Sequence, residues 1–284
     1  MRVRKKLWPK TIGDFMSMLF LLIIVPLIYW FELWIVLPEL YTPGTSAYYL
    51  HFCFGTFIMI NIVGNITFTF LSDTSSEGVL IPSPEQNVEN GWRFCSVCVE
   101  VHPPRSWHCN TCKTCILKRD HHCIFTGCCI GHFNQRYFLM FILYIFIGAL
   151  YSLIYNNHFI WNRIEFEFPI SIIKIMFPLA IFVFGFDDSI EHFYLMLYIV
   201  TIVGMLFSAN LCIYHFNSVL LGCTANEKNK GIYKYSFRYI DNIKEVFGER
   251  WYLTWILPYV YSKLPHNGTD FKANPNVISN RKNR

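Results

Sequence analysis

The stretch from Cys95 to Cys129 constrains this chain more than any other. Eight of the chain's eleven cysteines and four of its ten histidines fall within it. Two cysteine pairs, Cys95/Cys98 and Cys109/Cys112, have the spacing that lets one tight turn present two thiolates to one metal ion. An odd number of cysteines, clustered at this spacing, argues against a secreted disulfide framework and favours a module in the reducing cytosol.

More potential ligands are present than two metal sites require. A structural zinc site takes four Cys or His ligands in a tetrahedron, so two closed sites would use eight side chains. The candidates are Cys95, Cys98, His102, His108, Cys109, Cys112, Cys115, His121, His122, Cys123, Cys128, Cys129 and His132. A thiol left over beside a histidine and an aspartate is a candidate nucleophile, and Asp120-His121-His122-Cys123 supplies that arrangement. On spacing alone, a purely structural zinc fold with Cys123 as one more ligand is equally well supported.

Long apolar runs flank this stretch on both sides. With 54% apolar and 15% charged residues, the chain has the composition of a polytopic membrane protein rather than of a soluble enzyme. The basic residues behind the net charge of +5 gather beside the apolar runs, which is typical of membrane topology. No recognition helix separates the cysteine pairs, so we expect no nucleic-acid partner.

Hydropathy predicts an all-α polytopic membrane protein with four transmembrane helices and a small cytosolic module between helices 2 and 3. The predicted parts are a cytosolic N-terminus (1–14), helices 1 and 2 (15–71), a linker with the cysteine-rich module (72–136), helices 3 and 4 (137–221) and a cytosolic C-terminal tail (222–284). Pro103 and Pro104 would interrupt any helix in the module. We therefore expect short hairpins and turns around the metal ions.

An apolar run at 169–186 complicates the topology. It is about 18 residues long, at the short edge of a spanning helix. The module and the tail are both basic and are both expected in the cytosol, so an even number of crossings must separate them. We therefore interpret 169–186 as a luminal or re-entrant segment, which leaves four spans.

The cysteine-rich stretch resembles the catalytic module of the DHHC protein S-acyltransferases, also called palmitoyltransferases. The family pattern is C-x2-C-x9-H-C-x2-C-x2-C-x4-D-H-H-C-x5-C-x4-N-x3-F. It is met in full by Cys95, Cys98, His108, Cys109, Cys112, Cys115, Asp120, His121, His122, Cys123, Cys129, Asn134 and Phe138.

This resemblance implies roles for the residues of the pattern. Two structural zinc ions would be held, one by Cys95, Cys98, His108 and Cys115 and the other by Cys109, Cys112, His122 and Cys129. Cys123 would be the nucleophile, His121 its base and Asp120 the group that orients His121. Cys128 has no role in the pattern, and we expect a small buried thiol there.

The implied activity is protein S-palmitoylation. Cys123 would accept a long-chain acyl group from palmitoyl-CoA or a similar acyl-CoA and pass it to cytosolic cysteines of membrane-associated proteins at the lipid bilayer. Six basic residues make the module locally positive and are expected to attract coenzyme A phosphates or lipid headgroups: Arg93, Arg105, Lys113, Lys118, Arg119 and Arg136.

Family motifs outside the module are altered. Asp73 alone remains of an Asp-Pro-Gly motif, and Thr224-Ala225-Asn226-Glu227 has lost the second threonine of Thr-Thr-x-Glu. The tail keeps its motif's tyrosine and asparagine at Tyr235 and Asn242. These losses motivate an alternative, a catalytically inactive zinc-folded membrane adaptor. A metal transporter is disfavoured, because ionisable and thiol groups inside the spans are isolated.

The expected location is the endoplasmic reticulum or Golgi membrane, with both termini cytosolic. It follows from the family resemblance and from residues 281–284, which resemble a basic retrieval signal.

Overall fold

A computed structural model describes residues 2–79 and 91–275 of the chain. The predicted retrieval signal at 281–284 and the part of the predicted linker at 80–90 lie outside the described residues. Within them, four helices are long and apolar enough to cross a membrane: Ile12–Leu40, Ser46–Leu71, Gln135–Trp161 and Ile190–Leu220. Their number agrees with the four predicted spans.

The first of these four is composite, because a π-helical stretch, Phe31–Val36, joins two α-helices. In the described part of the chain between the second and third spans there are six strands. The helices are α1 (Ile12–Trp30), α2 (Leu37–Leu40), α3 (Ser46–Leu71), α4 (Gln135–Trp161), α5 (Ile170–Met176), α6 (Pro178–Val183), α7 (Ile190–Leu220), α8 (Ala225–Asn229) and α9 (Tyr239–Phe247).

The cysteine-rich module consists of three antiparallel hairpins. They pair β1 (Arg93–Cys95) with β2 (Glu100–His102), β3 (Trp107–Cys109) with β4 (Thr114–Ile116), and β5 (His121–Cys123) with β6 (Cys128–Ile130). The all-α prediction therefore describes the membrane helices but not the module. The hairpins expected around the metal are present.

The apolar run 169–186 forms two short helices, α5 and α6, that are interrupted at Phe177. A helix of seven residues is about 10 Å long, whereas the hydrocarbon core of a bilayer is about 30 Å thick. Neither helix is long enough to span. Lys174 and Asp187 form an ion pair at 2.5 Å across this segment.

The chain divides into two compact units, one made of Met1–Leu21, Val63–Phe141 and Ile213–Arg284, the other of Leu22–Ile62 and Ile142–Cys212. The first contains the cysteine-rich module. The second has a helix-packing core formed by Phe31, Val36, Phe159, Ile160, Leu195 and Leu197. Many other large apolar side chains on the long helices stay exposed, as lipid-facing residues do.

Candidate active site

The three hairpins of the module repeat one local structure. Each turns at a cysteine, and these cysteines, Cys95, Cys109 and Cys123, are 14 residues apart in sequence. Four positions after each cysteine, the backbone adopts a positive φ, at Val99 (58°), Lys113 (58°) and Gly127 (56°). The thiol of each cysteine also accepts a backbone N–H from the residue three places on. The module is therefore a threefold repeat of one thiolate-presenting turn.

The first turn and the second hairpin form one metal-binding group. Cys95 and Cys98 come from the turn, and His108 and Cys115 are a cross-strand pair of the next hairpin. Sγ of Cys98 lies 3.3 Å from Nδ1 of His108 and 3.8 Å from Sγ of Cys115. Ligands of a tetrahedral zinc ion lie about 3.5–3.8 Å apart, because Zn–S is about 2.3 Å and Zn–N about 2.0 Å. The group fits one zinc ion.

The second turn and the third hairpin repeat this arrangement. Cys109 and Cys112 come from the turn, and His122 and Cys129 are the cross-strand pair. Nδ1 of His122 lies 3.3–3.8 Å from the three sulfur atoms, and Sγ of Cys112 lies 3.7 Å from Sγ of Cys129. This group also fits one zinc ion by donor chemistry and spacing.

The third turn is different, and this difference isolates Cys123. In the repeat, the place of Cys98 and Cys112 is taken by Thr126. After β6 the chain enters α4 instead of a fourth hairpin that would supply a histidine and a cysteine. Among the described residues, Cys123 belongs to none of the groups that can hold a metal ion. In the other two turns this position carries a candidate metal ligand, whereas the Cys123 thiol is not part of a candidate metal group.

Cys123 is buried beside a base. The side chain is 6% exposed, and its thiol hydrogen bonds to the imidazole of His121. Burial alone would raise the pKa of this thiol, but the hydrogen bond and charge of His121, with hydrogen bonds from Thr126, lower it below its ordinary value. The site thus favours the nucleophilic thiolate.

His121 is in turn oriented by Asp120. Oδ2 of Asp120 lies 2.7 Å from Nδ1 of His121, and the Asp120 side chain is fully buried. Burial opposes the charged imidazole, yet the bonds to Asp120 and Cys123 raise the pKa of His121 to about 9. The pKa of Asp120 stays far below its usual value despite burial, because histidines donate to it. The three side chains predicted to act as nucleophile, base and orienting carboxylate therefore lie in contact with one another.

The altered Thr-Thr-x-Glu motif still reaches this site. The backbone N–H of Ala225 donates to Oδ1 of Asp120 at 2.7 Å. Thr224 caps α8 through a capping box with Glu227. The hydroxyl that Ala225 lacks is thus not needed for a bond between this motif and Asp120.

Sequence reasoning missed a contact that supports the second metal group. Both oxygens of Asp14, in the first turn of α1, lie 3.3 Å from Nε2 of His122. Since Nδ1 of His122 faces the sulfur atoms, Nε2–H donates to the carboxylate. A carboxylate behind a ligating histidine fixes the tautomer and raises ligand basicity. The only signal in the sequence was an aspartate at the start of an apolar span.

His215, near the end of α7, was also missed. Its Nδ1 lies 3.3 Å from Oδ2 of Asp120, and its side chain is 8% exposed. A lone histidine in an apolar span carries no specific local signal, so its partner could not be read from the sequence.

Known proteins resemble this chain in sequence. A sequence profile of the DHHC palmitoyltransferase family matches residues 88–232, about half of the chain. The chain belongs to the DHHC palmitoyltransferase family. "Probable palmitoyltransferase ZDHHC24" of Mus musculus is 29% identical over 240 residues, which are 81% of each chain. The Danio rerio protein of that name is 32% identical over 225 residues, covering 79% of this chain and 76% of its own. "Palmitoyltransferase ZDHHC22" of Danio rerio is 33% identical over 224 residues, covering 73% and 75%.

Two of the six basic residues expected to face coenzyme A in this DHHC module do not. Arg105 and Lys118 are almost fully buried and form ion pairs with Glu227 and Glu245. The prediction is wrong for these two, because both cations fasten the module to the C-terminal tail. Arg93 and Lys113 are exposed, and Arg119 and Arg136 are half-buried.

Two further candidate ligands have other roles in the DHHC module. Cys128, opposite Cys123 in the third hairpin, is a buried thiol that donates to Thr69 and Thr126, and burial raises its pKa to about 11. Nδ1 of His102 hydrogen bonds to the hydroxyl of Ser76.

His132 lies with Glu245 and His266 in a third group of possible ligands. Nδ1 of His266 accepts the N–H of Gly268, so its Nε2–H donates to Glu245, which also bonds Lys118. Glu245 is satisfied by these two donors and His266 offers no free lone pair. The group is therefore a hydrogen-bond network and not a third metal site.

Proposed function

We propose that this DHHC palmitoyltransferase transfers a long-chain acyl group through a thioester on Cys123. The observation that carries the proposal is the position of Cys123: it occupies the metal-presenting place of the third hairpin, lies outside both metal groups and bonds to His121. A thiol with this surrounding is activated for nucleophilic attack instead of being occupied by a metal.

In the first step, Sγ of Cys123 attacks the thioester carbon of an acyl-CoA. The Sγ–acyl bond forms and the acyl–sulfur bond of coenzyme A breaks. The proton of Cys123 passes to His121 and then to the departing coenzyme A sulfur. Asp120 holds Nδ1–H of His121, which directs Nε2 to this proton and stabilises the imidazolium that forms.

In the second step, a cysteine of a membrane-associated protein attacks the Cys123 thioester. The new sulfur–acyl bond forms, the Cys123–acyl bond breaks, and the proton of the attacking thiol returns through His121 to Cys123. Atoms and charge balance over the cycle without an oxidant or reductant. Each CH2 of the acyl chain contributes about 0.8 kcal/mol when buried in lipid, which explains why the module is carried by membrane helices.

We propose zinc for both metal groups. One ion would be held by Cys95, Cys98, His108 and Cys115, the other by Cys109, Cys112, His122 and Cys129. Eight Cys and His ligands at tetrahedral spacing support zinc, and a closed four-ligand set leaves no position for substrate. The metal would supply folding free energy to hairpins whose strands have only three residues each.

A cationic patch supports acyl-CoA as the donor. Cζ of Arg93 lies 3.7 Å and Nζ of Lys230 lies 3.0 Å from the centre of the Trp107 ring. Partial burial, followed by the charges of Arg93 and Arg119, lowers the pKa of Lys230. Three cations therefore gather on one patch, which suits the phosphate groups of coenzyme A.

The contacts of the first unit support a cytosolic location of both termini. Arg2 pairs with Asp73 at 2.9 Å, and Arg105 of the module pairs with Glu227 of the tail. An N-terminal segment and a tail that both contact the chain between the second and third spans lie on the same side of the membrane, which requires an even number of crossings and favours four spans. The endoplasmic reticulum or Golgi remains the proposed compartment on the family resemblance.

The test is acyl loading of the purified full-length protein with a clickable palmitoyl-CoA, followed by neutral hydroxylamine and zinc analysis. Cys123→Ser and Cys128→Ser are matched variants of facing residues. We expect hydroxylamine-sensitive label in the wild type and in Cys128→Ser, none in Cys123→Ser, and two zinc ions in all three. A two-zinc wild type without label would favour the inactive adaptor. Zinc loss in Cys123→Ser would identify Cys123 as a ligand instead.

A further inference from the structure

We propose that His215 is a positioning residue for acyl transfer: it fixes the Asp120 carboxylate in the orientation that aligns His121 with Cys123. This inference rests on the proposed function of these three residues. His215 comes from the last two turns of α7, 95 positions away from Asp120 in sequence.

The hydrogen bonds that Asp120 accepts point to this role. Oδ1 accepts the N–H of Ala225 at 2.7 Å, while Oδ2 faces Nδ1 of His121 at 2.7 Å and Nδ1 of His215 at 3.3 Å. A carboxylate only accepts, so His215 presents Nδ1–H to it. Because the Asp120 side chain has no exposed surface, water cannot replace a lost donor. Without His215, Oδ2 would depend on the very histidine that it must orient.

The ring of His215 is itself held in place. Phe138 stands edge-on to both imidazoles, with ring centres 4.9 Å from His121 and 5.0 Å from His215. The two imidazoles are 4.9 Å apart and tilted by 36°. Tyr214, the preceding residue, packs edge-on against His215 with ring centres 5.1 Å apart. These contacts fix the His215 ring, so its Nδ1–H stays directed at Oδ2 of Asp120 and holds that carboxylate in place.

A metal ion is the other explanation for two histidines and an aspartate at one point, since these three side chains are close enough to share one. Nitrogen and oxygen ligands of one tetrahedral zinc ion lie about 3.4 Å apart, because each bond is about 2.1 Å. The 2.7 Å between His121 and Asp120 is too short for that and is normal for a charge-assisted hydrogen bond. The cluster is therefore an orienting network.

The kinetic consequence follows from the position of His215 behind the reacting groups. Asp120 does not touch the acyl donor in this mechanism, so loss of its alignment slows the chemical step without weakening donor binding. Misorientation of a catalytic base costs roughly 10–100-fold when part of the orienting network remains. We expect His215→Leu to lower the maximal loading rate by about that factor, with the KM for palmitoyl-CoA changed by less than about threefold.

The experiment measures single-turnover loading of the zinc-replete full-length protein over a range of palmitoyl-CoA concentrations. His215→Leu removes the donor, and His215→Asn restores an amide N–H near the position of Nδ1. His192→Gln is the matched control, because His192 is a buried histidine of the same helix that bonds to the Pro178 carbonyl and not to Asp120. Zinc content and thermal midpoint are measured for each variant.

The proposal predicts slow loading in His215→Leu, at least partial recovery in His215→Asn, and normal loading in His192→Gln. It is overturned if His215→Leu loads within twofold of wild type, if His215→Asn is as slow as His215→Leu, or if both variants lose zinc. Failure of the proposed function is recognised separately, by a wild type that does not load or a Cys123→Ser variant that does.

Discussion

Arg105 and Glu227 form an ion pair that is closed to solvent: Nη2 of Arg105 lies 2.6 Å from Oε2 of Glu227, and each side chain is 2% exposed. Nε of Arg105 donates to Oε1 of Glu227 at 2.8 Å, so the pair is bidentate. The ring of Tyr235 lies against the guanidinium. Arg105 lies between β2 and β3 of the DHHC module and Glu227 belongs to the tail, so this pair joins two parts of the chain that are distant in sequence.

Breaking this pair from one side is expected to be costly. Glu227→Ala leaves the Arg105 guanidinium buried without its counter-charge and removes the capping box of α8. The free energy of unfolding should therefore fall by about 3–5 kcal/mol. The measurement is the thermal midpoint of the purified protein together with protease cleavage of the tail. Arg238→Ala is the control, since Arg238 and Asp241 form an exposed pair. Equal midpoints for the two variants would contradict the prediction.

Asp14 is expected to tighten metal binding by the second metal group, Cys109, Cys112, His122 and Cys129. Asp14→Asn keeps the shape of the side chain but weakens the bond from Nε2–H of His122, and loss of such a partner lowers metal affinity by about 10–100-fold. Zinc release to a chelator should become faster for one of the two ions only. The exposed carboxylate Glu39, in α2, gives the control variant Glu39→Gln. Release of both ions at unchanged rates would show that Asp14 only caps α1.

The four helices were predictable because an apolar run of about 20 residues is a local signal that needs no partner. The eight proposed zinc ligands were not fixed by spacing alone, since thirteen candidates allowed several sets; the family pattern chose among them. The 14-residue repeat was present in the sequence but concealed. Its first cysteine recurs three times, but the second cysteine of the pair is replaced by Thr126 in the third repeat.

The two missed contacts show where sequence reasoning stops. Asp14 and His122 are separated by 108 positions, and Asp120 and His215 by 95. Neither Asp14 nor His215 has a neighbour in sequence that reveals its partner. Strands of three residues are also too short for the alternating pattern that identifies a strand, so the hairpins followed only from their turns.

The cationic patch is expected to bind the phosphates of the acyl donor. Lys230→Gln removes one of three neighbouring positive charges, so KM for palmitoyl-CoA should rise by about 3–10-fold while the maximal loading rate stays within twofold. Lys113→Gln is the control, because Lys113 is exposed in the second turn of the same module and is not among the charges that act on Lys230. An equal rise in KM for both variants would indicate a general effect of charge.

A dependence of stability on pH is expected from His132. Burial, and then the charge of Lys118, lowers the pKa of His132 to about 3, compared with about 6.5 in an unfolded chain. A histidine with a lowered folded-state pKa contributes stability that is complete above pH 6.5 and is lost as pH falls below it, because only the unfolded chain takes up the proton. Between pH 7.5 and 5.5 the loss of stability should be about 1.4 kcal/mol.

His132→Phe removes this titration and keeps an aromatic ring beside His266. The thermal midpoint of wild type should therefore fall more than that of His132→Phe between pH 7.5 and 5.5. Lys118, Glu245 and His266 face His132 in both proteins, and both keep the same metal groups, so the comparison isolates the change at position 132. Parallel midpoints over this range would mean that His132 is accessible to protons in the folded state.

Gly131 packs closely against Leu117 and Thr74 and is expected to tolerate no side chain. A Cβ there would lie 2.5 Å from the carbonyl oxygen of Leu117 and 2.6 Å from Oγ1 of Thr74. Leu117 cannot withdraw, because its carbonyl accepts from His132 and its N–H donates to Thr74, both at 2.9 Å. Gly131→Ala should therefore destabilise the protein by about 1–3 kcal/mol or more and weaken zinc retention.

Gly204→Ala is the matched control, since nothing lies within 4 Å of a Cβ at Gly204. A glycine in an open helical position is replaced by alanine without loss. If Gly131→Ala and Gly204→Ala melt at the same temperature with two zinc ions each, the close packing of Leu117 on Gly131 does not stabilise the module.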